Sequence, residues 1–205
     1  DFFPWLLYFL DVFKNNNGFD IVITNPPYVS YGLRDVGKLD KFQKDLLKKN
    51  YPNSAEYKIS YYALFMDLVI RISKNGGFQT LIVPDSFLLG RYFSKIRKLI
   101  LDQCNIVFFT FFGYKIFKAD VGTSIVYITE KKIRESDNLV NVRRIKTEQN
   151  LLNEDFESFS YNQSYYKKFE YNRFRLFFNN DEKKLIDKID QNAVPLFKYI
   201  KGHTG

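Results

Sequence analysis

A chain of 205 residues with 45% hydrophobic composition can bury a real core and has room for one domain and the beginning of another. Its formal charge of +8 favours an acidic partner, nucleic acid first and anionic membrane second. One cysteine, Cys104, and one histidine, His203, argue against a disulfide framework, a Cys/His zinc site or histidine-based nucleophilic catalysis, and no metal site is expected.

The chain opens on a crowd of apolar residues from Phe2 to Phe13. The stretch is too short to span a bilayer, contains Pro4 and Asp11, and lacks a basic leader and a small-residue cleavage site, so cytoplasmic residence without a membrane is expected. Another part of the protein covers these rings, or they stack beneath the first strand. Asn15 to Gly18 form the turn that launches it.

That strand, FDIVIT, carries three consecutive β-branched residues, Ile21, Val22 and Ile23, which suit a strand buried on both faces of a parallel sheet. It ends in Asn25, Pro26, Pro27 and Tyr28. Two prolines lack N–H donors and force the residue before each into extended backbone, so the loop is rigid. It presents an amide, bare carbonyls and one aromatic ring at the C-terminal end of a strand, where such sheets carry their chemistry. Taken alone, an Asn-Pro-Pro-Tyr string is equally a surface turn or a polyproline segment.

From Arg34 to Lys49 basic residues, Lys38 and Lys41 among them, alternate with Leu39, Phe42, Leu46 and Leu47 at helical spacing; the element, beside the loop, is an ordinary surface helix or a phosphate-contacting one. Ile59, Tyr62, Phe65, Met66, Val69 and Ile72 define one apolar helical face, which Asn75-Gly76-Gly77 is expected to close. A buried strand over Phe78 to Val83 stops at Pro84, and a helix over Phe87 to Leu101 turns Phe93, Ile96, Leu99 and Ile100 inward and Arg91, Lys95, Arg97 and Lys98 largely outward. Strand-helix-strand-helix order is a parallel α/β layout. Two further strands, 106–112 and 123–129, read as an antiparallel hairpin at a sheet edge whose loop carries Phe117. Residues 131 to 182 turn polar, aromatic and basic with unclear periodicity, and Asn180 to Asp190 looks helical. The division expected is 1–140 and 141–205. The chain contains neither a Gly-x-Gly loop at a strand end nor a P-loop.

The run FDIVITNPPYV resembles the catalytic loop of amino-methyltransferases that use S-adenosylmethionine, and with its tyrosine is most similar to the N6-adenine DNA methyltransferases of the gamma class and of single-chain type II/IIG restriction-modification systems. YYALF, then Asn75-Gly76-Gly77 and LIVPDSFL, resemble the helix, turn and strand that come after that loop; IFKADVGTSIVYI resembles the hairpin whose phenylalanine faces the flipped base; residues 181–205 resemble the entry into a target-recognition domain. The resemblance implies an α/β fold: the C-terminal half of a Rossmann-like methyltransferase, a mixed sheet with an antiparallel edge hairpin. In that family the glycine-rich loop and the ribose-binding acid precede the Asn-Pro-Pro-Tyr strand, whereas here only Asp1 to Gly18 do, so the chain is expected to be a fragment without the main cofactor-binding loop.

By resemblance, the Asn25 amide oxygen and the Pro26 carbonyl accept the two hydrogens of adenine N6, Pro27 stiffens the loop, and Asn25 also borders the cofactor. Tyr28 stacks on the flipped base, Phe117 covers its other face, and Phe65 touches the ring edge or belongs to the core. Lys38, Lys41 and Arg91 are weaker candidates for the DNA backbone. Double-stranded DNA and the upstream part of the same protein are the expected partners, with self-association possible and methyl transfer by the isolated chain absent. RNA or protein-glutamine methylation, or an inert DNA-binding or assembly fragment, are the alternatives.

Overall fold

The computed structural model describes residues 3–29, 39–56, 59–117, 122–134, 137–176, 179–194 and 198–199. In chain order these form α1 (Trp5–Tyr8), α2 (Leu10–Asn16), β1 (Phe19–Thr24), α3 (Lys41–Asn50), α4 (Tyr61–Ile72), β2 (Ser73–Pro84), α5 (Ser86–Leu89) and α6 (Ser94–Gln103). After these come β3 (Cys104–Phe112), β4 (Ser124–Lys131), β5 (Leu139–Ile145), α7 (Glu148–Leu152), β6 (Glu157–Asn162) and α8 (Asn180–Asn192), with 3-10 turns at Arg91–Phe93, Gln163–Lys168 and Glu170–Asn172.

The six strands make one sheet in the order β1-β2-β4-β3-β5-β6, with β1 parallel to β2 and β3 parallel to β5. The β3–β4 hairpin forms as expected, but β4 inserts between β2 and β3, and β5 and β6 carry the sheet on beyond it. The division expected at 140 therefore falls inside β5. The chain separates instead into compact units at Asp1–Phe174 and Arg175–Gly205. In the second, α8 opens with a capping box in which Asn179 accepts from the Asp181 and Glu182 amides and Glu182 returns to the Asn179 amide.

One face of the sheet is covered. Helix α4 packs on β2 and α6 on β3, and the strand residues beneath them alternate into the core: Leu81 and Val83 on β2, Ile125 and Tyr127 on β4, Val140 and Val142 on β5. Rings fill the space between, with Phe109 5.4 Å from Phe174 and 6.4 Å from Tyr166, and Phe87 5.9 Å from Tyr127. Gln79 is buried among them and accepts from Thr129 Oγ1 at 2.8 Å while donating to Gly77 O at 2.8 Å, so its amide is satisfied.

Among the described residues the opposite face carries no such cover. Ile21 and Ile23 of β1 are 62% and 75% exposed, and Phe78 beside Ile21 is 42% exposed. This corrects the expectation of a strand buried on both faces. Among the described residues β1 is the edge of the sheet, and only one side of it meets helices. Farther along the open face, Arg143 of β5 lies over the Phe108 ring at 4.3 Å and the Phe156 ring at 4.8 Å.

Two backbone details differ from expectation. Helix α4 stops at Ile72, with Ser73 extended and its hydroxyl bonded to Val69 O at 2.6 Å, whereas Gly76 (φ +76) bends a bulge inside β2 that shifts the register from Phe19↔Ser73 to Ile21↔Phe78. Arg97, expected to face outward, is completely buried: its Nη1 donates to Phe87 O at 2.6 Å and Gly90 O at 2.9 Å, and its other nitrogens donate to Tyr171 and Asn172 carbonyls. The chain returns over α6 after β6 and turns what would be a solvated position into an interior one. Burial pulls the guanidinium down to about 10, which leaves it charged at neutral pH.

Candidate active site

The site gathers where β1 ends. Gly18, with φ +128, launches the strand so close to α4 that a Cβ there would stand 2.5 Å from the Ile72 carbonyl. Beyond Thr24, Asn25 is exposed, Pro26 is buried and Pro27 is exposed, so the amide of Asn25 faces solvent from a backbone wedged by the first proline. Two hydrogen bonds fix the rest of the loop. The Tyr28 hydroxyl donates to Ile82 O of β2 at 3.0 Å, and the Tyr61 amide at the start of α4 donates to Val29 O at 2.9 Å. Tyr28 is thereby held at its tip by the neighbouring strand and at its C-terminal side by a helix N-terminus. Partial burial raises the pKa of its phenol, with Ser124 working against the shift, so the ring is neutral at physiological pH.

Phe117, on the loop between β3 and β4, reaches the same place: its ring centroid is 5.9 Å from that of Tyr28, with planes at 70°. The base of the loop is pinned, since the Asp85 amide donates to Thr123 O at 3.1 Å and Thr123 Oγ1 donates to Asp85 Oδ2 at 2.5 Å. Asp85 directly follows the proline that ends β2, so the end of one strand is tied to the entry into the next.

The ring that sequence reasoning missed is Tyr62. It is buried, meets Tyr28 edge-on at 6.4 Å and Phe93 at 5.2 Å, and shares a 3.3 Å hydrogen bond with Ser86 Oγ. Burial pushes its phenol up to about 12, partly offset by Ser86 and Ser60. The signal in the sequence is the paired tyrosine of YYALF, beyond the helical apolar stripe. Phe65, one turn along α4, is half-buried. Lys41 is exposed at the first residue of α3, Arg91 is exposed beyond Gly90, and Lys38 lies outside the described residues. Among the described residues no group of three or more His, Cys, Asp or Glu side chains could hold a metal ion, and no helix is long and apolar enough to cross a membrane.

Residues 1–117 match the Eco57I restriction-modification methylase family. The chain belongs to that family. RM.MjaORFECS2P of Methanocaldococcus jannaschii is 25% identical over 203 residues, which is 98% of this chain and 16% of that protein. The Type II methyltransferase M.PstI of Providencia stuartii is 32% identical over 109 residues, 51% of this chain and 20% of that protein. The chain thus spans a fifth or less of the length of these relatives. Among solved structures, the type IIG restriction endonuclease BpuSI aligns with a TM-score of 0.57 at 17% identity, covering 85% of this chain and 22% of that one. A type I restriction-modification methyltransferase subunit from Streptococcus thermophilus aligns with a TM-score of 0.55 at 18% identity, covering 78% and 38%. The likeness to these structures is one of fold, a mixed α/β sheet flanked by helices, and in this Eco57I-type chain the sheet continues through β5 and β6.

Proposed function

We propose that the chain is the catalytic half of an enzyme that methylates adenine N6 in double-stranded DNA within a restriction-modification system, taking the base out of the helix to do so. The observation that carries this reading is the fixed geometry at the end of β1: an exposed Asn25 amide, a buried Pro26, and a Tyr28 ring held by Ile82 O with Phe117 against it. Adenine N6 is a weak nucleophile because its lone pair is delocalised into the ring, and in a duplex it is stacked and paired. Asn25 Oδ1 and the Pro26 carbonyl accept its two hydrogens and draw the nitrogen toward tetrahedral geometry. Tyr28 offers a face for the extruded base, and Phe117 the opposing one. Positioning supplies most of the acceleration, so a general base is not needed at this step.

S-Adenosylmethionine, when bound, supplies a methyl group on a positively charged sulfur. The residues present fit one border of its site, since Asn25 stands exposed at the strand end beside an uncovered sheet edge. The uncovered face itself, with Ile21, Ile23 and Phe78, and the exposed Leu6, Leu7 and Tyr8 next to β1, support the reading that an upstream part of the same protein packs here. Left uncovered, this edge favours self-association, and the chain alone binds cofactor weakly and transfers no methyl group. The full-length enzyme acts in the cytoplasm, where its DNA is. Incubating full-length protein with tritiated cofactor and, separately, duplex DNA, RNA and protein tests the reading: label in DNA supports it, and label confined to RNA or protein refutes it.

A further inference from the structure

A second built feature lies along the ring path that leads away from Tyr28. Tyr171 (φ 60, ψ 20) and Asn172 (φ 50) are consecutive non-glycine residues in the left-handed region, which a bulky side chain avoids. Both carbonyls are aimed at Arg97, a buried guanidinium whose five hydrogen bonds among the described residues all go to backbone oxygens. A strained corner and a buried guanidinium bonded only to backbone carbonyls are both costly, and the side chain carried at that corner is the Tyr171 ring. Strain of this kind persists where the surroundings impose it and concentrates at functional sites.

That ring is flanked by two more cations. The guanidinium of Arg91 lies 5.2 Å from its centroid and that of Arg173 lies 5.1 Å from it. Arg91, Tyr92, Ser94, Tyr171 and Glu56 line an open cleft of about 520 Å³. Glu56 is turned to the start of α6, accepting from Ser94 Oγ at 3.1 Å and the Lys95 amide at 3.4 Å, and Arg173 bonds Leu89 O while its Nη1 stays 3.9 Å from Glu170. Two guanidiniums, Arg91 and Arg173, flank the ring, and Arg91 makes no ion pair among the described residues. Planar cations paired with an aromatic ring suit the phosphodiester backbone of a nucleic-acid strand. The cleft adjoins the candidate active site through Phe93, which contacts Tyr62, which in turn contacts Tyr28.

We propose that the Arg91–Tyr171–Arg173 corner seats a backbone phosphate of the DNA strand that delivers its base to Tyr28. This rests on the DNA-methylation reading above and adds to it the residues that hold the strand. Fluorescence anisotropy of a labelled duplex, titrated with the full-length protein across a range of salt concentrations, tests it. Arg91→Gln and Arg173→Gln should each lower the slope of log affinity against log salt by about 1, and the double variant by about 2. Tyr171→Gly, which adopts the left-handed corner without strain, should keep the thermal unfolding midpoint while weakening binding roughly five- to tenfold. A salt slope in the double variant equal to that of wild type would overturn the phosphate seat alone. A wild-type chain whose DNA binding ignores salt would overturn the DNA reading together with it.

Discussion

The rings of Tyr28 and Phe117 touch edge to face, with centroids 5.9 Å apart and planes at 70°. A base held between two parallel rings needs about 7 Å, twice the ~3.4 Å stacking separation of nucleic-acid bases. The two rings therefore cannot both stack on a base in the arrangement seen here, and one must turn aside to admit it. Tyr28 is tied at its hydroxyl to Ile82 O, whereas Phe117 has no polar atom to tie. Phe117 is the ring expected to move.

This asymmetry separates three variants of the full-length enzyme. Tyr28→Ala should lower kcat/KM by about 10- to 100-fold, the equivalent of losing one base-aromatic stack. Tyr28→Phe keeps the ring but frees it from Ile82 O, and should cost about 1 kcal/mol of stability with a smaller loss of turnover. Phe117→Ala removes the obstructing ring as well as the cover, so 2-aminopurine at the target position should fluoresce more strongly than in the wild-type complex. Equal kinetics for Tyr28→Ala and Tyr28→Phe would show that stacking is not the function of Tyr28.

Arg97 is a structural prediction of a different kind. Replacing it with methionine keeps the length of the side chain and leaves the Phe87, Tyr171 and Asn172 carbonyls without their donor. Chemical denaturation should show a loss of about 3 kcal/mol or more, since several buried acceptors are orphaned at once. Exposed Lys98, one residue on, is paired with Asp102 at 2.6 Å on the surface, and Lys98→Met should shift the midpoint little. Similar losses in the two variants would contradict the interior placement of Arg97.

Gly18→Ala tests the approach of β1 to α4. A Cβ at Gly18 meets the Ile72 carbonyl at 2.5 Å and the Lys74 amide nitrogen at 2.8 Å, at a φ of +128 that alanine rarely adopts. Urea unfolding should show a destabilisation of about 2 kcal/mol or more. An unchanged midpoint would mean that the strand is launched differently.

Burial pushes the Cys104 thiol from 9.0 up to about 12, against the opposing pull of Lys131, Lys132 and Thr129, and raises the buried Tyr127 phenol as well. For such acids the unfolded chain loses its proton first. For the thiol, between pH 9 and 12 the folded state holds more protons, so stability is fully present below the unfolded value and falls as pH rises, by about 1.4 kcal/mol per pH unit, with the phenol adding to the fall only above its unfolded value of 10.0. Urea midpoints at successive pH values above 9 should decline, less steeply in Cys104→Ala than in wild type. The same burial predicts that a thiol reagent labels Cys104 only on unfolding.

The parts of the fold legible in the sequence were those where one local signal dominates: the β-branched run closed by two prolines, the 3.6-residue stripe of α4, and the two strand runs either side of the Phe117 loop. The extension through β5 was carried by a two-residue alternation in Leu139 to Ile145, with Val140 and Val142 inward and Asn141 and Arg143 outward. The arginines and the polar residues around them masked that alternation in a stretch dense with tyrosine. Arg97 was misplaced for a physical reason. Whether a helical residue faces solvent depends on what returns over it, and the covering segment at Tyr171 and Asn172 lies 74 and 75 residues away in sequence. Of the site, the loop and Phe117 were named from the sequence, and the structure brings them into contact; the pinning of Tyr28 to Ile82 depends on the register of β1 against β2, which pattern alone does not specify.

The most direct test of the account compares wild type with Asn25→Ala in the full-length protein, measuring methyl transfer to duplex DNA, the identity of the methylated nucleoside after digestion, and DNA affinity. The account predicts N6-methyladenine as the product, a fall in kcat of about 10²- to 10³-fold in Asn25→Ala, and DNA affinity within about threefold of wild type, because the lost acceptor acts only as N6 becomes tetrahedral. A methylated nucleoside other than N6-methyladenine, or an Asn25→Ala enzyme that turns over as fast as wild type, would contradict it.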